Sequence, residues 1–155
     1  MPLRSPSIMK IVQATAEHLV PVAELFNQYR MFYEQPDDLA GATAFIQGNI
    51  ENARSQVFVL FDASGRAAAF SQLYPTYCST EMRPIMYLSD LFVDPTQRRK
   101  GYARALMAFL IEHFGRQAMH RLTLETATTN VGAQKLYESL GYQRDQVFVT
   151  YHRVL

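Results

Sequence analysis

The chain contains one cysteine, Cys78, and no tryptophan among its 155 residues. A lone thiol excludes an internal disulfide framework, and His18, His113, His120 and His152 lack the close spacing of a metal-ligand pair, so no metal site is expected. No apolar run approaches the ~18 to 20 residues of a membrane span. The opening "MPLRSPSIMK" has no apolar stretch that could serve as a secretory core. Excess charge is also missing: 15 Lys and Arg stand against 14 Asp and Glu, for a formal net charge of +1. Such a balance produces no broad field for a nucleic-acid backbone. Repeats, low-complexity tracts and linkers are absent. The expectation is a soluble, cytoplasmic protein without nucleic-acid or membrane partners. It forms a single domain over residues 1–155, with residues 1–7 a loose N-terminal segment.

What is present is an alternation of β-rich and helical runs. Residues 8–14 read as a strand, and Thr15 offers a hydroxyl to cap the helix that follows, on which Leu19, Val22, Ala23, Phe26, Tyr29 and Tyr33 recur at near-helical spacing. "QPDD" breaks that helix, and Asp37 or Asp38 begins a second one through Phe45, Ile46 and Ile50. Two strand-like runs then flank Asp62-Ala63-Ser64-Gly65, the chemistry of a hairpin connection. A fourth strand covers residues 85–94, where alternation places Leu88, Asp90 and Phe92 on one face and Ser89, Leu91 and Val93 on the other. A helix from about Gly101 carries Ala103, Leu106, Met107, Leu110 and Phe114 on one side. "HRLTLETA" is a fifth strand, "NVGAQKLYESLG" a helix ended by Gly141, and "QVFVTYHRV" a closing strand, with a further short strand at residues 142–144 an open option.

Between the fourth strand and its helix lies "RRKGYAR". Backbone N–H groups opening a helix lack intrahelical partners, and the helix dipole adds positive charge there, so an anion is favoured. Gly101 permits close backbone approach and positive φ, Ala103 keeps the first turn slim, and Arg98, Arg99, Lys100 and Arg104 add charge. The turn suits a polyphosphate. Neither G-x-x-x-x-G-K-[ST] nor G-x-G-x-x-G occurs, which excludes the P-loop and dinucleotide fingerprints.

Arg98-Arg99-Lys100-Gly101-Tyr102-Ala103 resembles the Q/R-x-x-G-x-G/A phosphate loop of the GNAT superfamily of acyl-coenzyme A dependent N-acyltransferases. A second segment of that family, N-x-x-A-x-x-[LF]-Y-x-x-x-G-[FY], is matched by Asn130, Ala133, Leu136, Tyr137, Gly141 and Tyr142. Arg99 and Ala103 stand where many members have glycine. The resemblance implies an α+β fold: a mixed, mostly antiparallel central sheet flanked by helices and splayed between strands four and five. It implies acetyl-CoA as cofactor. Arg99, Lys100, Gly101, Tyr102 and Ala103 would hold the pyrophosphate through backbone amides, supported by Arg98 and Arg104. Leu91, Phe92 and Val93 would pair with the pantetheine arm, Asn130 would contact the cofactor, and Ala133 would leave room for it.

Transfer to nitrogen needs a neutral amine, a polarised thioester and a proton for the departing thiolate. The resemblance assigns the acid to Tyr137. In the polyamine-acetylating branch the base is a glutamate at the position of Ser89, so here deprotonation is expected to pass through water to Asp90 or another acid, or to occur in solution. The acceptor is expected among Tyr29, Tyr33, Tyr74 and Ser89, with Phe32 and Tyr77 extending an aromatic wall and Glu34, Asp37, Asp38 and Glu81 supplying charge. The resulting expectation is an N-acetyltransferase acting on a primary amine of a small molecule, such as a polyamine or amino acid, by direct attack. The alternatives are acetylation of a protein lysine or N-terminus, a non-catalytic acyl-CoA-binding regulatory module, and an RNA-binding domain using the basic turn. A homodimer remains open.

Overall fold

Five β-rich runs pair into one sheet among the described residues, 8–155, of a computed structural model. The expected loose segment 1–7 lies outside the described residues. The chain divides into two compact units, Met1–Glu125 and Thr126–Leu155. In the first, the elements run β1 (Lys10–Gln13), α1 (Leu19–Phe32), α2 (Leu39–Glu51), β2 (Gln56–Phe61), β3 (Ala67–Cys78), β4 (Arg83–Val93), α3 (Tyr102–Gly115) and β5 (Leu122–Leu124). Short 3-10 turns precede α1 at Ala16–His18 and follow β4 at Pro95–Gln97. The sheet order is β1-β2-β3-β4-β5, antiparallel except for β4 and β5. That last pair is parallel because α3 provides the crossover which returns the chain to the starting end.

The local signals act as their chemistry dictates. Asp38 caps α2 by accepting from the Gly41 N–H at 2.9 Å. In the β2–β3 connection Asp62 Oδ1 accepts from the N–H groups of Ser64 and Arg66 at 2.9 and 3.0 Å. Gly65 there takes φ +87, where a side chain would be strained. On one face of the sheet Val22, Leu25 and Phe26 of α1 and Ala42 and Ile46 of α2 bury against Val57, Val59, Phe70 and Phe92. Across the other face Phe58 meets Phe109 and Phe114 of α3, with ring centroids 5.8 and 5.9 Å apart.

One irregularity in β4 decides the site. Gln72 of β3 pairs with Asp90, but Leu73 pairs with Leu88, leaving Ser89 as the extra residue of a β-bulge. Consecutive residues of β3 face opposite ways and cross-strand partners share a face. Leu88 therefore lies opposite Asp90, contrary to the uninterrupted alternation expected from sequence. Tyr87, paired with Tyr74, joins Asp90 and Phe92 on the α1–α2 side. A splay between β4 and β5 follows at the same place, because their pairing ends at Leu88 and Leu124 while β4 continues to Val93.

In the second unit α4 (Val131–Ser139) is capped by Asn130, whose Oδ1 accepts from the Ala133 N–H at 3.1 Å. Gly141 at φ +91 ends it, and the Tyr142 N–H returns to the Tyr137 carbonyl at 3.0 Å. The expected closing strand at 146–154 and the short strand at 142–144 do not form: residues 143–155 are irregular and exposed throughout. Strand propensity supplies no ladder by itself.

Candidate active site

The turn between β4 and α3 is held from several directions. Asp94 accepts from the Thr96 N–H at 2.8 Å and pairs with Arg66 at 3.1 Å, fixing the start of the turn to β3. The Arg98 guanidinium stands 5.7 Å from the ring centroids of both Phe32 and Phe92, and its Nε donates to the Val93 carbonyl at 3.3 Å. Lys100 donates to the buried Gln97 at 2.8 Å. Arg98 and Lys100 therefore brace the turn as well as charge it, while Arg99 is exposed.

Gly101 is the N-cap of α3 with φ +77, and no side chain caps this helix. The first turn holds no acidic residue either. Its N-terminal donors and dipole are thus left for an anion, with Arg99 and Arg104 exposed nearby in sequence. A Cβ at Gly101 would meet nothing within 4 Å, so glycine is required there by backbone conformation and not by space. Arg99 shares the left-handed region at φ +65, which explains physically why glycine suits that position.

The splayed part of β4 leads into the second half of the site. Asp90 is buried at 5% exposure and accepts from the Gln72 amide at 2.6 Å. The Gln72 oxygen accepts in turn from Asn49 at 2.8 Å and Ser55 at 2.7 Å, and Asn49 also donates to the Tyr74 hydroxyl at 3.1 Å. Ser71 donates to the Asp90 carbonyl at 2.8 Å. Tyr29 donates to the carbonyl of bulged Ser89 at 3.3 Å and borders the Asp90 carboxyl.

Burial pushes the Asp90 carboxyl above the usual carboxylate range, and its bonds with Gln72, Ser89 and Tyr29 oppose that rise. The phenols of Tyr29, Tyr74 and Tyr87 are all raised, first by burial; the negative charge of Asp90 comes next at Tyr29, follows the opposing hydrogen bond from Asn49 at Tyr74, and ranks behind Glu125 at Tyr87. The arrangement is one carboxyl of increased basicity facing three hydroxyls that stay protonated. It can accept a proton directly or through water, and it can surround a cation with aromatic and hydroxyl groups.

Of the residues named from sequence, Tyr29, Tyr33, Tyr74, Ser89 and Asp90 gather on this unit. Tyr33 stacks edge-on to Tyr29 with centroids 5.0 Å apart. Tyr77 points away at 75% exposure, Phe32 turns to Arg98, and Asp37 and Asp38 bond Asn27, holding the α1–α2 loop. Sequence reasoning missed Gln72, Asn49, Ser55, Tyr87 and Glu125. The available signal was polarity out of place: Ser71-Gln72 interrupts an apolar strand, and Asn49 sits on the apolar side of α2. In the second unit Tyr137 lies on α4 with its ring centroid 6.0 Å from that of Tyr142. The Tyr142 hydroxyl is buried without a hydrogen-bond partner among the described residues, and burial pushes it up to about 12.

Comparison with known proteins agrees with this geometry. The acetyltransferase (GNAT) family model matches residues 21–142. The uncharacterized N-acetyltransferase YhfO of Bacillus subtilis (strain 168) is 42% identical over 143 residues, covering 92% of this chain and 95% of that protein. Ribosomal protein bS18 alanine N-acetyltransferase of Escherichia coli (strain K12) is 35% identical over 65 residues, 42% of this chain and 44% of that protein. Among solved structures, a probable acetyltransferase superposes with a TM-score of 0.88 at 31% identity, covering 94% of this chain and 97% of that one. The fold is also that of aminoglycoside N-acetyltransferase AAC(6')-Iy in complex with CoA, at a TM-score of 0.77 and 23% identity over 99% of each chain. A glycine-capped basic turn, a bulged and splayed β4, and a family match spanning both come together in one conclusion: the chain belongs to the GNAT family and is an N-acetyltransferase.

Proposed function

We propose that this enzyme transfers the acetyl group of acetyl-CoA to a primary amine of a small cationic molecule by direct attack. The observation that carries the reading is the buried Asp90 carboxyl among the Tyr29, Tyr74 and Tyr87 hydroxyls, on the stretch of β4 that β5 leaves unpaired. A protonated amine gains charge and cation–π contacts in such a site, and loses its proton to the same carboxyl or to a water beside it.

The uncapped start of α3 fits the cofactor. The N–H groups of Arg99, Lys100, Gly101, Tyr102 and Ala103 would hold its pyrophosphate, with Arg98 and Arg104 in support. Main-chain groups of Leu91, Phe92 and Val93, beyond the last β4–β5 pair, would hold the pantetheine arm as an added strand. Asn130 and Ala133 at the start of α4 would border it. When bound, acetyl-CoA supplies an acetyl thioester and a thiolate leaving group. The residues of the chain do the rest: Asp90 takes the amine proton, backbone N–H groups of β4 polarise the carbonyl, and Tyr137 delivers a proton to the thiolate. Tyr33 and Ser89 complete the acceptor side.

A second reading has one specific support, the relatives named as alanine N-acetyltransferases of ribosomal protein bS18. It assigns the acceptor as a protein N-terminus. One assay separates the two: coenzyme A release from acetyl-CoA with a panel of diamines, polyamines and amino acids beside peptides that begin with alanine. Saturable turnover of a small amine supports the first reading. Turnover of peptides alone moves the acceptor to a protein N-terminus.

A further inference from the structure

A cavity of about 240 Å³ lies where the end of α2 meets the start of β2. None of the acceptor-side residues Tyr29, Tyr33, Tyr74, Tyr87, Ser89 and Asp90 lines it. Its walls are mixed: Ala14, Ile50 and Val57 are apolar, Ser55, Gln13 and Gln56 bring hydroxyl and amide groups, and no lining residue carries a charge. Walls of this kind cannot compensate the desolvation of an ion, so they suit a neutral occupant. At ~30 Å³ each, the share of one water in the liquid, the space holds about eight non-hydrogen atoms.

The wall on the α2 side is built in advance. The N–H groups of Asn52, Ala53 and Arg54 return to the carbonyls of Gly48, Ile50 and Asn49 at 3.1, 3.3 and 3.0 Å, which ties the α2–β2 turn to the helix. Ala53, in the wall itself, is held at φ +50, a conformation that persists in a residue with a side chain only where its surroundings over-determine it.

One lining residue also belongs to the network around Asp90. Ser55 is 7% exposed and donates its hydroxyl to the Gln72 oxygen at 2.7 Å, and the Gln72 amide donates to Asp90 at 2.6 Å. The direction of this chain is forced. An ionised Asp90 only accepts, so Gln72 turns its NH₂ to the carboxylate and its oxygen back to Asn49 and Ser55. Ser55 spends its single proton there and keeps acceptor capacity alone. A molecule in the cavity engages that hydroxyl by donating an N–H or O–H.

We propose that the cavity binds a small neutral molecule carrying a hydrogen-bond donor, which bonds Ser55 and acts on Asp90 through Gln72. A donor to Ser55 polarises its O–H, which strengthens the bond to Gln72 and then the bond from the amide to the carboxylate. This opposes the effect of burial, so the bound molecule eases the ionisation of Asp90. The titratable and charged groups around Asp90 are Tyr29 and Tyr33 on α1, Tyr74 on β3 with Arg54 acting on it, and Tyr87 on β4 with Glu125 beside it. None of them lines the cavity. The coupling rests on the reading of Asp90 as the proton acceptor, whereas the binding does not.

Benzamide and acetophenone are the probes, equal in non-hydrogen atoms and different only in an NH₂ against a methyl group. Each is titrated into the full wild-type chain while its amide NMR spectrum is followed. Benzamide should give saturable shifts at Ala14, Ala53, Ser55 and Val57 with a dissociation constant of ~1–10 mM, and acetophenone should bind ~10-fold more weakly. Absence of a saturable shift would leave water as the only occupant and overturn the site. Shifts centred elsewhere, or equal affinities for the two probes, would overturn it as well. In Ser55→Ala the two affinities should come within ~2-fold of each other, and a difference that persists would place the donor contact away from Ser55. Should that variant fail to fold, the comparison of probes on the wild-type chain still decides.

Saturating benzamide should also move the acid limb of kcat/KM to lower pH, raising the rate on that limb ~2-fold or more. An unmoved limb at saturation would overturn the coupling. Asp90→Asn keeps the two failures apart: undiminished turnover in that variant removes Asp90 as proton acceptor and the coupling with it, while the titration judges the cavity by itself.

Discussion

The side-chain amide of Gln72 donates to the Asp90 carboxylate at 2.6 Å, and its oxygen is occupied by Asn49 and Ser55. With the oxygen claimed by two donors, the amide can turn only its NH₂ toward Asp90. A single orientation follows, and it aims the carboxyl at the sheet face shared with Tyr29, Tyr74 and Tyr87. Burial raises the proton affinity of Asp90 while Gln72 limits the rise. The balance favours a base nearer neutrality than an exposed aspartate.

Asp90→Asn should separate activity from stability. A carboxyl whose folded pKa lies above its unfolded value binds its proton more tightly in the native state, so stability falls as pH rises from ~4 through the raised value. Asparagine removes that loss and still presents an oxygen to Gln72. The unfolding midpoint of the variant should equal or exceed that of the wild type at pH 8, and the difference should shrink below pH ~4. Acetyl transfer should drop by ~100-fold or more. Undiminished turnover would show that Asp90 takes no part in proton removal.

Gln72→Leu tests the same network from its centre. Asp90 loses a donor, Ser55 its acceptor and Asn49 one of two, all on buried groups. Each buried group left unsatisfied costs ~1–3 kcal/mol, so a loss of about 3 kcal/mol or more is expected. That corresponds to a fall in the unfolding midpoint of roughly 6–12 °C for a chain of this size. A shift under a few degrees would mean that water replaces the amide and the network is open to solvent.

The legible parts of this fold were those governed by local chemistry. Asp38 before α2, Asp62 and Gly65 in the hairpin, and Gly101 before α3 each act within a few residues of their own position, so their spacing is enough to read them. The bulge at Ser89 is set by pairing with β3, a relation across some twenty residues that strand alternation ignores; missing it put Leu88 on the wrong face. Gln72 and Asn49 escaped notice for a similar reason. A polar side chain on a buried face signals a partner without naming it, and the partner lies in another element. The closing strand failed differently: residues 146–154 have the propensity, but a strand exists only where an edge receives it.

Arg99 and Gly101 form a paired test of the phosphate turn. Both occupy the left-handed region, at φ +65 and +77. Arg99→Gly relieves ~1–2 kcal/mol of backbone strain, less ~0.5–1 kcal/mol of added chain entropy, for a net gain of up to ~1.5 kcal/mol. Cofactor affinity should fall modestly in low salt and approach the wild-type value in high salt, because the lost charge is exposed and screened. Gly101→Val imposes backbone strain at a position where Cβ itself meets no atom within 4 Å. Affinity for coenzyme A, measured by calorimetry, should weaken ~10-fold or more. Equal affinity in the valine variant would place the pyrophosphate away from the start of α3.

Tyr137 stands on α4 two residues before its end, in the segment Asn130-Val131-Gly132-Ala133 opens. Its hydroxyl is proposed to protonate the thiolate, a task that no methyl or hydrogen in its place can perform. Tyr137→Phe preserves the ring and its packing against Tyr142, so affinity for coenzyme A should stay within ~2-fold while kcat falls by ~100-fold. The split between the two constants is the informative quantity. A proportional loss in both would assign Tyr137 to cofactor binding. Unchanged kcat would remove it as the acid and turn attention to Tyr142, whose buried hydroxyl has no hydrogen-bond partner among the described residues. Replacing Tyr142 with phenylalanine then distinguishes a second proton donor, which lowers kcat, from a packing residue, which lowers only the unfolding midpoint.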